Sequence, residues 1–133
     1  MNLRLIFDAS AVTAFGQHET VGEIIGELSS LEGFAVTTAG MAEAVARGAD
    51  LRLMEILQRK AECSVFVSTT DWLALGRFID LTRPSAEAVH DVADADLAML
   101  AVRMQAFILT DRPERYTRIM PSVETIPLEP PWS

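Results

Sequence analysis

HDVADADLAMLAVRMQAFILTD, residues 90–111, is the stretch whose reading decides the fold. It sets three acids, Asp91, Asp94 and Asp96, at the head of an apolar helical pattern. A strand-like run, Ala106–Thr110, follows and ends on a further acid, Asp111. Leu97, Leu100, Ala101 and Met104 recur at intervals of three and four, which predicts a core-facing stripe. Ala93, Ala95, Ala98 and Ala101 are small enough to let that helix press closely on its neighbours. Asp91 and Asp94 share a face, and Asp96, two residues on, is expected to point elsewhere. The helix dipole favours acids in a first turn and explains one or two of them, less readily all three. Carboxylates at a helix start and a strand end are costly to bury unless a cation meets them.

Working outward, Leu3–Phe7 reads as a buried strand that ends at Asp8, with Ser10 opening a helix directly after it. Strand, acid, helix start is the order that places an active group beyond the carboxyl end of a parallel strand. Neither G-x-G-x-x-G nor a Walker glycine pattern occurs, so a nucleotide phosphate cradle is not expected. Gly16–Glu19 reads as loop, and Thr20 with Glu23 forms a capping box for a helix carrying Val21, Ile24, Ile25, Leu28 and Leu31 inward. Phe34–Thr37 is a second strand. The helix expected over Thr38–Arg47 carries Met41, Ala44 and Val45 inward and stops at Gly48.

Glu43 lies in the first turns of that helix, near the strand's carboxyl end. A lone helical Glu is more often a surface residue, but Ala42 and Ala44 beside it leave room for another element to approach. Asp50 can cap a third helix, and Ser64–Ser68 is a third strand rich in β-branched and aromatic residues. Asp71 or Thr70 caps a helix expected to bury Trp72, Leu73, Leu75, Phe78 and Ile79. Ser85 suits an N-cap, with helix running from Ala86 to about Met104. Val123–Ile126 reads as an edge strand, and the proline-rich tail 127–133 as irregular.

Strands alternating with helices predict a single α/β domain over residues 1–133. Its architecture is a three-layer α/β/α sandwich around a mostly parallel sheet of four to five strands. The right-handed crossover rule then gathers Asp8, Glu43, Asp94 and Asp111 at one end of the sheet.

Composition narrows the setting. Half of the residues are hydrophobic, and no apolar run approaches a membrane-spanning length. A cytoplasmic protein is the expectation. The single cysteine, Cys63, excludes an internal disulfide framework and a cysteine-based metal site, and reads as a buried, inert thiol. Net charge is −8, from 19 acids against 11 basic residues. A protein gripping nucleic acid by counterion release alone would be basic. The excess of acid fits either plain solubility or carboxylates clustered around a divalent metal.

The motifs LIFDASAV at 5–12, TTAGMAEA at 37–44 and ADADLAMLAVRMQAFILTDRPERY at 93–116 together resemble the PIN-domain family. The likeness is closest to the small single-domain toxins of VapBC toxin–antitoxin pairs and covers nearly the whole chain. In that family an acid ends the first strand, matched by Asp8, with a hydroxyl residue two positions on, matched by Ser10. A glutamate on a later helix matches Glu43, an acid opening an Ala-rich helix matches Asp94, and an acid after the fourth strand matches Asp111. The family commonly ends that strand with Thr, one residue, then Asp, whereas Thr110 and Asp111 are adjacent here, so the acid arrives one residue early.

What the resemblance implies is a metal-dependent endoribonuclease using Mg²⁺ or Mn²⁺, inhibited by a small antitoxin protein and acting as a homodimer. Asp8, Glu43, Asp94 and Asp111 would be the catalytic acids, with Asp8, Asp94 and Asp111 on the metal. Ser10 and Thr110 would orient a ligand or water, and Asp91 would serve as a supporting or substitute acid. Arg112 and Arg115 are candidate phosphate contacts, an exposed solubilising role being the rival reading.

A second function class is a PIN-fold protein with little or no catalysis that acts by binding a partner; the early Asp111 and the acidic surface speak for it. A phospho-receiver domain would want paired acids after the first strand, an Asp after the third and a late Lys, but only Asp71 and Lys60 are on offer. A haloacid-dehalogenase-like phosphatase would want D-x-D after the first strand, where position 10 is Ser.

Overall fold

Leu5, Ile6 and Phe7 are all enclosed, which only a central strand allows, and the strand they form, β1 (Leu5–Phe7), has a parallel neighbour on each side. This is seen in a computed structural model that describes residues 5–17, 33–59, 63–67, 71–83, 85 and 91–128. The capping box at Thr20 and Glu23, the helix after it and Lys60 lie outside the described residues. Four further strands complete the sheet: β2 (Phe34–Thr37), β3 (Cys63–Phe66), β4 (Phe107–Thr110) and β5 (Thr125–Pro127). They run in the order β3-β2-β1-β4-β5, every pairing parallel.

The chain therefore builds outward from β1 in one direction, then crosses back and builds in the other. That reversal between β1 and β4 is a topological switch point, where a crevice opens beyond the carboxyl ends of the strands. Register fixes what lines it. Phe7 stands opposite Val36 on one side and Leu109 on the other, so the next residues, Asp8, Thr37 and Thr110, emerge at one level.

Strand alternation sends Leu5 and Phe7 to one face of the sheet and Ile6 to the other. On the first face Phe7 stacks on Phe34 with ring centroids 4.9 Å apart, under α1 (Ala9–Gln17), α2 (Thr38–Ala46) and α3 (Leu51–Arg59). The second face packs on α5 (Val92–Met104) and α6 (Glu114–Thr117), while α4 (Trp72–Thr82) lies beside α5. The result is an α/β/α sandwich. Buried Ala95, Ala98 and Ala101 let α5 sit close to the sheet, and Gln105, in the left-handed region at φ 54°, ends it.

Several local expectations are corrected. Gly16 is helical, not loop: it is buried in α1, where an added Cβ would lie 2.7 Å from that of Ala49. Val45 faces out, and Gly40 takes the inward position at the start of α2. The helix expected from Ala86 does not run through Asp91, whose ψ of 131° is extended and whose side chain caps α5; residues 86–90 lie outside the described residues. Trp72 and Leu73 are not buried at all, Trp72 being 78 % exposed. Among the described residues of α4, Ala74, Leu75, Phe78, Ile79 and Thr82 are partly enclosed, Phe78 against the core on the second face of the sheet. Cys63 is half-buried, not enclosed, and burial raises the pKa of its thiol. Of the tail expected to be irregular, Pro127 closes β5 on the sheet's edge and Leu128 is buried; residues 129–133 lie outside the described residues.

Candidate active site

Asp8 is the pivot. It ends β1, and its carboxylate accepts the N–H of Ala11 at 3.0 Å in the first turn of α1, so one residue closes a strand and caps a helix. Burial to 3 % exposure would make that charge costly, yet its oxygens are well served. Oδ1 accepts from Ala11 N–H and from the Ser10 hydroxyl; Oδ2 accepts from the Tyr116 hydroxyl at 2.9 Å. Ser10 Oγ in turn accepts the backbone N–H of Asp111 at 3.0 Å. With that lone pair taken, the Ser10 proton is directed at Asp8. Ser10 thus ties the Asp8 carboxylate to the turn after β4.

Around Asp8 opens a cavity of about 70 Å³. Asp8, Glu43, Asp94 and Asp96 line it, together with Thr37, Gly40, Arg115 and Tyr116. Room for one water takes about 10–15 Å³, so the space suits a small hydrated ion and the edge of a larger molecule. Gly40 keeps it open: a Cβ there would meet Thr37 Oγ1 at 3.0 Å, and that oxygen already accepts the Gly40 N–H as the cap of α2.

Asp94 sits in the first turn of α5 with its side chain 18 % exposed. Burial pushes its pKa up to about 6; Arg115 opposes this, and the negative charges of Asp91, Asp8 and Glu43 add to it. Arg115 Nε lies 3.7 Å from Asp94 Oδ2, a long ion pair that only partly offsets the crowding. Burial is also the first cause of a raised pKa at Tyr116, followed by the charges of Asp8 and Asp94, so its phenol stays protonated and donating.

Of the acids expected at the site, Asp8, Glu43 and Asp94 share this cavity, drawn from three separate segments. Glu43 stands at the rim, half exposed and held by Arg47 at 2.9 Å. Asp111 does not line the cavity; it takes part through its backbone N–H on Ser10. Asp91 is spent as the cap of α5, accepting the N–H groups of Ala93 and Asp94. Thr110 is fully buried and outside the cavity lining, and its Oγ1 accepts the Arg112 N–H in the turn after β4. Arg112 is exposed and outside the cavity lining, while Arg115 is within it.

Two residues enter unannounced. Asp96, expected to point away, lines the cavity because Ala93 and Leu97 form its floor on α5 and Asp94 and Asp96 flank that line on either side. Tyr116 is not singled out in the sequence, where it stands in the basic segment around Arg112, Arg115 and Arg118; in the structure its ring packs with Ile119, Val123 and Met120.

Among the described residues no three acidic, histidine or cysteine side chains form a ready-made metal cage. The acids that line the cavity offer carboxylate oxygens, the ligand class of hard divalent cations. Mg²⁺ in particular keeps several waters and leans on one or two carboxylates, so Asp8 and Asp94 suffice as its protein ligands. The crowding that raises the Asp94 pKa is the imbalance such an ion relieves. On these grounds the donor set fits a small hydrated dication.

In comparisons with known proteins, the chain matches no family model and no curated protein.

Proposed function

We propose that this chain is a PIN-type endoribonuclease, the toxin of a toxin–antitoxin pair, that hydrolyses RNA phosphodiester bonds with Mg²⁺ or Mn²⁺. The observation that carries this reading is the convergence of Asp8, Glu43 and Asp94, from β1, α2 and α5, on one cavity at the switch point of the sheet. Asp8 and Asp94 would hold the cation. When bound, such an ion lowers the pKa of water and stabilises charge on the scissile phosphate. The chain's own contribution is positional. Ser10 and Tyr116 fix the Asp8 carboxylate, and Asp91 and the α5 backbone hold Asp94. Glu43 at the rim offers an acceptor to an incoming water or ribose hydroxyl. Arg115, beside Asp94, presents a guanidinium whose planar donors suit a phosphate. With a net charge of −8 the surface does not attract RNA by itself, so Arg115 and the cation supply the local positive field.

The partners that go with this reading are an RNA substrate, a small inhibitory protein and a second copy of the chain, in the cytoplasm. Exposed Trp72, Leu73 and Leu81 on α4 support pairing with another copy. No helix among the described residues is long and apolar enough to cross a membrane.

A second reading, a PIN-fold protein that binds a partner without catalysis, is favoured by one observation: Arg115 already offers Asp94 a cation, and Asp111 stays out of the cavity. RNA cleavage separates the two. Incubated with single-stranded RNA, the protein is expected to cut only when Mg²⁺ or Mn²⁺ is present, and Asp8→Asn is expected to abolish cutting. Cleavage unaffected by chelation, or retained in Asp8→Asn, refutes the metal-dependent mechanism. Metal binding with no cleavage leaves the binding protein.

A further inference from the structure

Asp8 has less to offer a cation than its carboxylate suggests. An ionised carboxylate presents about four lone-pair sites. Ala11 N–H and the Ser10 hydroxyl occupy both sites on Oδ1, and the Tyr116 hydroxyl occupies one on Oδ2. Neither side chain is free to turn aside: Asp111 N–H holds Ser10 Oγ, and the Tyr116 ring is 1 % exposed within the core cluster under α5. One lone pair on Oδ2 remains.

We infer that Tyr116 is a positioning residue that restricts this site to a single dication. The inference rests on the metal-dependent reading above. Sites that hold two ions about 3.5–4 Å apart rely on shared ligands between them. Asp8, the most enclosed of the acids, is the natural bridging carboxylate here, and the Tyr116 hydroxyl stands in the second place on its only open oxygen. With Oδ1 filled, a second ion cannot use that oxygen either. Charge agrees: one dication balances Asp8 and Asp94, Glu43 is matched by Arg47, and Asp96 is matched in number by Arg115, so a second dication would stand uncompensated.

The test is to count Mn²⁺ per chain by isothermal titration and to record the electron paramagnetic resonance of the loaded protein, for the wild type, Tyr116→Phe and Ser10→Ala. Phe keeps the ring and deletes only the hydroxyl. The wild type is expected to bind one Mn²⁺ with an uncoupled spectrum. Tyr116→Phe, with a second lone pair open on Oδ2, is expected to bind two, with exchange coupling between them. Ser10→Ala opens Oδ1, the other oxygen a second ion could use, and is likewise expected to bind two. Two coupled Mn²⁺ in the wild type overturn the inference while leaving metal dependence intact, and one Mn²⁺ in Tyr116→Phe overturns the role of its hydroxyl. A wild type that binds no Mn²⁺ overturns the metal-dependent reading itself and this inference with it.

Discussion

The β1–β4 seam and the β3–α4 edge are made of similarly apolar sequence and are used in opposite ways. At the seam every residue of β1 is buried, Ile108, Leu109 and Thr110 of β4 are buried, and a carboxylate is enclosed with them. At the edge no residue of β3 or α4 is fully buried, and Val65, Val67, Trp72, Leu73 and Leu81 face outward. The difference lies in neighbours. A strand with a partner on both sides and helices above and below can enclose an acid, because dense packing holds every donor aimed at it. A strand that ends the sheet cannot. The acid therefore stands where packing is densest, and the edge leaves its large apolar side chains exposed.

Truncating the seam is expected to give the largest effect. Tyr116→Ala removes a buried ring and leaves Asp8 Oδ2 without its donor. Loss of a large buried aromatic side chain costs about 3–5 kcal/mol. Urea unfolding is the measure, and a loss below about 1 kcal/mol, within the scatter of ordinary substitutions, would show that the seam is not the rigid part.

A smaller effect is expected at Asp94, in the dependence of stability on pH. Its folded pKa is raised from 3.8 to about 6, by burial first and then by Asp91, Asp8 and Glu43 against the pull of Arg115. Between those values the folded chain holds a proton at Asp94 that the unfolded chain has released. Stability is then greatest below the lower value and falls as pH rises through the higher one. Asp94→Asn removes this contribution, so unfolding midpoints of wild type and variant are expected to converge at acid pH and diverge toward pH 7, the variant standing higher. Parallel profiles would show that Asp94 is not the crowded group. The same variant is expected to bind Mn²⁺ at least tenfold more weakly, about 1.4 kcal/mol; unchanged affinity removes Asp94 from the metal's ligands.

How much of this was legible in the sequence follows the same division. The seam could be read because its signals are local. A short apolar run, with Arg4 inside it, that ends on Asp8 and turns at once into a helix gives strand, acid and helix start together, and the structure adds that Asp8 also caps that helix. Glu43 and Asp94 followed from alternation and the handedness of crossovers. The partner of Asp8 could not be read, because Tyr116 lies 108 residues away and the hydroxyl adds nothing to an apolar periodicity. Asp96 was misplaced because helical spacing tells which residues share a face, but not how broad a strip of that face a cavity spans. Trp72 and Leu73 were misplaced for a tertiary reason: their pattern predicts burial, but what could bury them depends on β3 standing last in the sheet, which is set by strand order.

The least costly change is expected at that edge, where it sharpens the comparison most. Trp72 is 78 % exposed, and on the same helix Gly76 has open space where a Cβ would stand. Arg77 and Asp80 lie between exposed Leu73 and Leu81. A face with both signs of charge among apolar residues can complement a copy of itself across a two-fold axis. Trp72→Glu breaks no buried contact, so the unfolding free energy of the isolated chain should change by no more than about 0.5 kcal/mol. It does place a charge where two copies would meet, and light scattering at matched concentration is expected to show the wild type as a dimer and the variant as a monomer. A large loss of stability in the variant would mean that Trp72 supports the chain's own fold. Equal masses would mean that the exposed face of α4 joins no second copy, and the contrast between a closed seam and an open edge would then rest on packing alone.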